Sequence, residues 1–167
     1  PSTVYVQIFR EAGLLEPVDT AKIPCYDDLM EAYLNLPEAT GENGEVYALP
    51  WTWGTTSLGY NPDKVTGDIH SWDVLYSDEY AGKVAFFDDY VTAIMTSAIH
   101  LGMDPSQPDT LDMDAIQADL TALKANVRTY WASYDDYLAP YTAGEIVIGN
   151  MWAGTATQLL NSGTPCN

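Results

Sequence analysis

The sequence is poor in basic residues. Only six Lys and Arg residues stand against 24 Asp and Glu residues, which gives the 167-residue chain a formal net charge of −18. Because such a surface repels phosphate backbones and anionic membranes, we expect no nucleic-acid partner. A small cationic ligand is the natural electrostatic complement of this charge. The alternative explanation is that the acidity only serves solubility.

The sequence also lacks long apolar runs and has only two cysteines. No run approaches the roughly 20 residues that cross a bilayer. A cleaved leader is absent from a mature chain, so the missing signal peptide does not indicate the cytoplasm. If paired, Cys25 and Cys166 would close a loop of about 140 residues, worth roughly 4–5 kcal/mol in the chain-entropy model. The other interpretation is two unrelated thiols.

Motifs that carry catalysis are absent as well. His70 and His100 fit no metal or triad spacing, and Ser57 lacks the flanking glycines of a nucleophile elbow. The stretch 112–114 begins like a calcium loop but lacks the glycine and the closing glutamate of that motif. No glycine-rich phosphate loop is present. We therefore expect a protein that is not an enzyme, with no catalytic residue, no cofactor and no metal.

What the sequence does contain is the composition and patterning of an alternating α/β protein. Hydrophobic residues make up 47% of the chain, and 12 Tyr and 5 Trp residues favour a folded core over disorder. Strands that alternate with helices predict a mostly parallel sheet flanked by helices. The predicted helices are 3–15, 27–33, 71–75, 90–101, 111–125, 135–143 and 155–161, and the predicted strands are 46–49, 56–60, 83–87, 127–131 and 146–151.

The stretch 49–61 has two short extended runs that meet at the sequence Trp-Gly-Thr-Thr. Glycine allows backbone angles that are closed to other residues, so the chain can bend at Gly54 or pass close to another backbone there. Aromatic residues beside such a break, above all Trp53, indicate a hinge or the floor of a cleft rather than a surface turn.

Carboxylates and a tryptophan follow two of the predicted strands. Asp88 and Asp89 come after the strand 83–87 and before a helix, and Trp152 stands between the strand 146–151 and a helix. Ligands of open α/β sheets bind outside the carboxyl ends of the strands. A Trp face beside a carboxylate suits an ammonium group, through cation–π contact and ion pairing. The alternative roles are a helix cap for the carboxylates and a core position for Trp152.

A collinear series of short motifs extends over nearly the whole chain. In order, these are Pro-Ser-Thr-x-Tyr-Val, Leu-Pro-x-x-Trp-Gly-Thr-Thr, Gly-Tyr-Asn-Pro-Asp-Lys-Val, Ser-Trp, Tyr-x-Gly-Lys-Val, Asp-Asp and Gly-Glu-x-x-x-Gly-x-x-Trp-x-Gly. The series resembles the polyamine-binding family, the periplasmic spermidine/putrescine receptors of ABC importers. The resemblance implies a type II periplasmic-binding-protein-like fold and a partial chain. It assigns residues 1–53 to the end of lobe I up to the crossover, 54–163 to lobe II and 164–167 to the start of a return to lobe I.

The resemblance also implies a ligand site. Ser2 matches a ligand-contacting serine of the first lobe, Asp89 a carboxylate that holds an amine, and Trp152 a wall of the cleft. Thr92 and Thr155 stand at cleft positions where related receptors carry carboxylates. We add Trp53, at the crossover, to these candidate ligand-binding residues.

The two threonines leave the ligand open, because each buried ammonium group of a di- or triamine needs a partner. The neighbouring loop contains candidates that could refill the site, namely Trp131, Ser133, Asp135 and Asp136.

The expected function is that of the substrate-binding component of an ABC importer. It would capture a polyamine or related small cationic amine between two lobes by hinge closure and deliver it to a membrane permease. We expect a monomer that is periplasmic, or extracellular and membrane-associated. The alternatives are a non-polyamine ligand, such as an amino-acid derivative or an opine-like compound, and a lobe reused as an interaction module without a ligand.

Overall fold

A computed structural model describes residues 2–167. Contacts within the chain divide it into two compact units, Pro1–Trp53 and Gly54–Asn167. The division falls at the break in the aromatic stretch 49–61. The assignment of these units to lobes, and of residues 164–167 to a return, stays a prediction.

The first unit contains one α-helix followed by short turns. Helix α1 spans Thr3–Glu11, inside the predicted range, and buries Val6. The helix predicted over 27–33 is wrong, because Leu29 and Met30 adopt extended backbone and break it into two 3-10 turns. The 3-10 turns of this unit are Thr20–Lys22, Tyr26–Asp28 and Glu31–Tyr33.

The strand predicted over 46–49 is also wrong. It reduces to one isolated bridge between Thr40 and Val46. Residues 2–53 contain no continuous strand that could extend this pairing. Because the extended state is stabilised by pairing with a partner, the apolar residues of this stretch do not form a strand alone.

The second unit contains the sheet, and its elements follow the predicted order with boundaries that differ by a few residues. Its strands are β1 (Thr56–Tyr60), β2 (Val84–Phe87), β3 (Val127–Trp131) and β4 (Ile148–Trp152). Its helices are α2 (Tyr90–His100), α3 (Met113–Leu123), α4 (Tyr134–Thr142) and α5 (Ala153–Asn161). The predicted helix 71–75 is a 3-10 turn, Trp72–Tyr76, whose N-cap is Ser71. Two further 3-10 turns are Asp78–Tyr80 and Pro108–Thr110.

The four strands lie in the order β1-β4-β2-β3. Strand β2 runs parallel to both β3 and β4, so the predicted mostly parallel sheet is confirmed. Strand β1 is antiparallel to β4, and its first residue, Thr56, pairs with Trp152 at the carboxyl end of β4. The chain therefore enters the second unit at the edge where the three parallel strands end.

Each face of the sheet carries its own apolar core, as the alternation of side chains along a strand requires. On one face, Val84 and Ile148 pack with Leu123 of α3. On the other face, Ala85 and Met151 pack with Leu159 of α5 and with α4. The sheet is thus covered by helices on both faces.

A polar cluster lies between α2, α3 and the 3-10 turn that begins at Ser71. The carboxylate of Asp119 accepts hydrogen bonds from Ser97 Oγ at 2.6 Å and from the Tyr76 hydroxyl. It also contacts His100 Nδ1 at 2.8 Å, while His100 Nε2 lies 3.1 Å from Asp73. Burial and the Asp119 carboxylate raise the pKa of Tyr76. This cluster gives His100 a structural role beyond its position at a helix end.

Cys25 is exposed and Cys166 is buried, and both are free thiols in the structure. Burial raises the pKa of the Cys166 thiol. The next residue, Asn167, exchanges two backbone hydrogen bonds with Tyr60 at 2.9 Å each, so the end of the chain packs along β1. No helix within residues 2–167 is long and apolar enough to cross a membrane.

The structure requires a glycine at position 149 and not at position 54. Gly54 has no positive φ, and a Cβ atom added there would meet nothing within 4 Å. Neither reason for a glycine at position 54 is therefore present. At Gly149, in contrast, an added Cβ would collide with the backbone carbonyl oxygen of Ala85 on β2.

We expect Gly149→Ala to lower the free energy of unfolding by about 1–3 kcal/mol, because β2 and β4 would have to separate to admit the methyl group. Urea denaturation followed by circular dichroism measures the change. Gly54→Ala is the matched control, and we expect it to be neutral or stabilising by less than about 1 kcal/mol. Equal destabilisation by both substitutions would contradict the prediction.

Candidate functional site

Strands β2 and β4 are neighbours at the point where the sheet reverses its winding. They pair only through Val84–Ile148 and Ala85–Gly149, and then they part. After β2 the chain continues into α2 on one face, where Ala93 packs against the core that contains Val84 and Leu123. After β4 it continues into α5 on the other face, where Leu159 packs in the second core. Such a topological switch point is where open α/β sheets bind ligands.

We call the carboxyl ends of β2 and β4, with the residues that follow them, the switch-point edge (87–89 and 150–155). Asn150 bridges the two strands where their ladder stops. Its Oδ1 accepts a hydrogen bond of 2.7 Å from the backbone N–H of Phe87. Its Nδ2 is fully buried and has no hydrogen-bond partner within residues 2–167.

Four aromatic rings pack together at the switch-point edge. The Phe87 ring lies 4.4 Å from that of Trp131 in a stacked arrangement and 5.1 Å from that of Trp152, edge to face. Tyr134, at the start of α4, meets Trp152 edge to face at 5.0 Å. Trp131 is 1% exposed, whereas Tyr134 is 39% exposed. The cluster therefore has a buried base and a rim that solvent can reach.

The carboxylates of the switch-point edge lie on its β2 side. Asp89 is the N-cap of α2, and its Oδ1 accepts a hydrogen bond of 2.8 Å from the backbone N–H of Thr92. Asp88 is exposed, and its charge, after burial, contributes to raising the pKa of the Tyr130 phenol. The sequence left open a role as helix cap for Asp88 or Asp89, and Asp89 takes this role.

One of the two acidic residues of α4, Asp136, has a local role in the helix. Ser133 and Asp136 form a capping box at the start of α4, and the hydrogen bond from Ser133 is the main cause that lowers the pKa of Asp136. Asp135 lines a shallow depression along α4 together with Leu138 and Ala139. The structure gives Ser133 and Asp136 local roles at the start of α4, which weakens the idea that they replace carboxylates of the site.

The six candidate ligand-binding residues fall in two groups. Asp89, Thr92, Trp152 and Thr155 come together at the switch-point edge or in the first turn of the helix behind it. Thr155 is fully buried, and its hydroxyl has no hydrogen-bond partner within residues 2–167. A direct contact of any of the four with a ligand stays a prediction.

The other two candidates, Ser2 and Trp53, belong to the first unit. Ser2 is exposed and precedes α1, and its side chain makes no cap hydrogen bond. Trp53 is 66% exposed, with its ring 6.0 Å from that of Tyr33.

Sequence reasoning missed Tyr134 and Asn150 as members of the edge. Tyr134 is placed by contact with Trp152 and Gly154, since a Cβ added to Gly154 would lie 2.7 Å from the Tyr134 hydroxyl oxygen. The signal for Asn150 was a polar residue inside an apolar strand, two positions before the tryptophan. No cluster of three or more His, Cys, Asp or Glu side chains suited to a metal occurs in the described part of the chain.

A mostly parallel sheet with rings and carboxylates at its switch point defines an α/β binding domain for small molecules. The chain belongs to the bacterial extracellular solute-binding protein family, whose sequence profile matches residues 1–165. Its fold is that of type II periplasmic-binding proteins. This family consists of binding proteins rather than enzymes.

The relatives of the chain include receptors named for polyamines. It is 30% identical over 166 residues to the spermidine/putrescine-binding periplasmic protein of Escherichia coli K12, an alignment that covers 99% of this chain and 46% of the relative. The spermidine/putrescine ABC transporter substrate-binding protein PotD of Streptococcus pneumoniae superposes with a TM-score of 0.77 at 23% identity, over 100% of this chain and 50% of that one. A putative spermidine/putrescine ABC transporter from Listeria monocytogenes gives 0.82 at 20% identity, with the same coverage. The chain thus spans about half the length of these relatives.

Proposed function

We propose that the chain is part of the substrate-binding component of an ABC importer that captures a polyamine or a related small cationic amine. The observation that carries the proposal is that the partly exposed Trp152 and the carboxylates Asp88 and Asp89 follow two neighbouring strands at one switch point, where the Trp152 ring contacts Phe87. A ring face and a carboxylate together stabilise an ammonium group. The names of the relatives support the same ligand class.

The proposed mechanism is capture by closure of two lobes, followed by docking of the closed form on a membrane permease. The protein would act as a monomer in the periplasm, or outside the cell and attached to a membrane. It would have no catalytic role and no nucleic-acid partner, in keeping with its charge of −18.

A second candidate is a receptor of the same kind for a non-polyamine ligand, such as an amino-acid derivative. It is favoured by Thr155, which places an uncharged side chain in the first turn behind Trp152. A lobe that binds no ligand at all is the third possibility.

Thermal denaturation of the complete natural protein with putrescine, spermidine and other amines tests the proposal. A ligand that binds only the native state must raise the unfolding midpoint, by an amount that grows with its concentration. If no amine raises the midpoint at concentrations up to the millimolar range, the proposed function is wrong.

We expect Trp152→Leu to weaken amine binding about 5- to 30-fold, because a ring face near a desolvated cation contributes roughly 1–2 kcal/mol. Isothermal titration calorimetry on the complete protein measures the loss. Trp72→Leu is the matched control, since Trp72 packs against the first core and lies outside the switch-point edge. Equal loss of affinity in both variants would contradict a specific role for Trp152.

A further inference from the structure

The charges at the switch-point edge are distributed on one side only. Its acidic residues, Asp88 and Asp89, follow β2. On the β4 side, residues 150–155 contain no charged side chain at all. Of the two acidic residues of α4, Asp136 is held in its capping box, and Asp135 lines a depression together with Leu138 and Ala139 of the same helix.

The β4 side instead offers a hydrogen-bond donor. The backbone N–H of Phe87 can only pair with an oxygen, so the 2.7 Å contact assigns the acceptor end of Asn150 to Phe87. The other end, Nδ2, is therefore an NH₂ group that can only donate. It is fully buried and has no partner within residues 2–167. A buried donor without an acceptor destabilises the protein, and an acceptor from a ligand, or from a water that the ligand contacts, would remove this cost.

The two sides of the edge therefore suit different chemical groups. An ammonium group fits the Asp88–Asp89 side, where two carboxylates directly follow Phe87 of the aromatic cluster. A second ammonium group on the β4 side would find no carboxylate among residues 150–155, and it would face the donor of Asn150. A carboxylate or carbonyl oxygen on that side would accept from Asn150.

From this asymmetry we infer that the ligand carries one ammonium group and, at its other end, a hydrogen-bond acceptor. It is an ω-amino acid or a compound of that kind, and not a diamine. This inference rests on the second candidate function, a receptor for a non-polyamine ligand, because it assigns a ligand class to the same site.

Three probes with the same four-carbon chain separate the possibilities in the complete protein: 4-aminobutyrate, putrescine and 1-aminobutane. They differ only in the group at the far end, which is an acceptor, a second ammonium or a methyl group. We expect 4-aminobutyrate to bind about tenfold or more tightly than either of the other two, as measured by calorimetry.

Other rankings have distinct meanings. If putrescine binds as tightly as 4-aminobutyrate, the inference is overturned and the proposed amine receptor stands. If 1-aminobutane matches 4-aminobutyrate, the acceptor is unnecessary and the inference is equally overturned. If none of the three binds, and spermidine does not bind either, the proposed function and the inference fail together.

The isosteric variant Asn150→Asp tests the residue itself. It keeps the oxygen that accepts from Phe87 and replaces the donor by a charged acceptor. The affinity for putrescine relative to that for 4-aminobutyrate should therefore rise about tenfold or more. Asn61→Asp is the matched control, because the Oδ1 of Asn61 likewise accepts a backbone N–H, that of Asp63, at the opposite end of β1. This control should leave the ratio of affinities unchanged, and an unchanged ratio in Asn150→Asp would contradict the role of Asn150. If Asn150→Asp does not fold, the ranking of the three probes by the unmodified protein decides the inference alone.

Discussion

Replacing Trp131 by alanine is expected to lower the free energy of unfolding by about 3–5 kcal/mol. Trp131 ends β3, is 1% exposed and touches three other rings. Its ring lies 4.4 Å from Phe87, 4.9 Å from Trp152 and 5.4 Å from Tyr137. Removal of the indole would leave a cavity between the sheet and α4, and the rings at the switch-point edge would lose their buried base.

Urea denaturation measures this loss, and Trp51→Ala is the matched control. Trp51 is 95% exposed, so the same change of side chain removes almost no buried area, and we expect a change within about 0.5 kcal/mol. The Trp131 variant should also weaken amine binding, since Phe87 and Trp152 rest on its ring. If Trp131→Ala lowers the free energy of unfolding by less than about 1 kcal/mol, the aromatic cluster is not a packed core.

The elements of the second unit could be predicted because their signals are local. Asp89 follows an apolar run and caps the next helix, the role weighed from the sequence for Asp88 or Asp89. Such caps depend only on residues within one turn, so the sequence alone is enough to locate them. The position of Asp88–Asp89 and Trp152 at one edge followed from the rule that parallel strands end together.

The rest depended on partners that are distant in the sequence. The stretch 46–49 has the composition of a strand, but only the folded chain shows that it finds a single bridge. The need for glycine at Gly149 arises from the Ala85 carbonyl on β2, which no local pattern reveals. For the same reason, the sequence could not show that position 54 does not require a glycine. The surroundings of Gly54 in the fold, and not its neighbours in sequence, decide whether a side chain fits.

Asn150 illustrates the same limit within the site. A polar residue in an apolar strand indicates a special role, but the sequence does not tell which of its two ends is free. That depends on where the β2–β4 ladder stops, one pair before Asn150. The register therefore leaves the Nδ2 end of Asn150 as the free donor. The class of ligand that suits this donor can then be tested.

The second large effect is expected from Asp119→Ala, which should lower the free energy of unfolding by about 3–5 kcal/mol. The Asp119 side chain is 9% exposed and serves Ser97, Tyr76 and His100 together. Without its carboxylate, these partly buried groups lose their common acceptor, and His100 keeps only the contact with the exposed Asp73. Breaking such a network costs more than one hydrogen bond, because Ser97 and Tyr76 lose this acceptor and His100 loses one of its two carboxylate partners.

Asp109→Ala is the matched control, because Asp109 lies in an exposed 3-10 turn and its removal should change stability by less than about 0.5 kcal/mol. Asp119→Asn separates charge from hydrogen bonding, since the amide keeps one acceptor and loses the negative charge beside His100. We expect its effect to lie between those of the other two variants in urea denaturation. If Asp119→Ala is no worse than Asp109→Ala, the cluster does not hold α2 and α3 together. Because the cluster lies outside the switch-point edge, Asp119→Asn should leave the ranking of the three amine probes unchanged at temperatures where it stays folded.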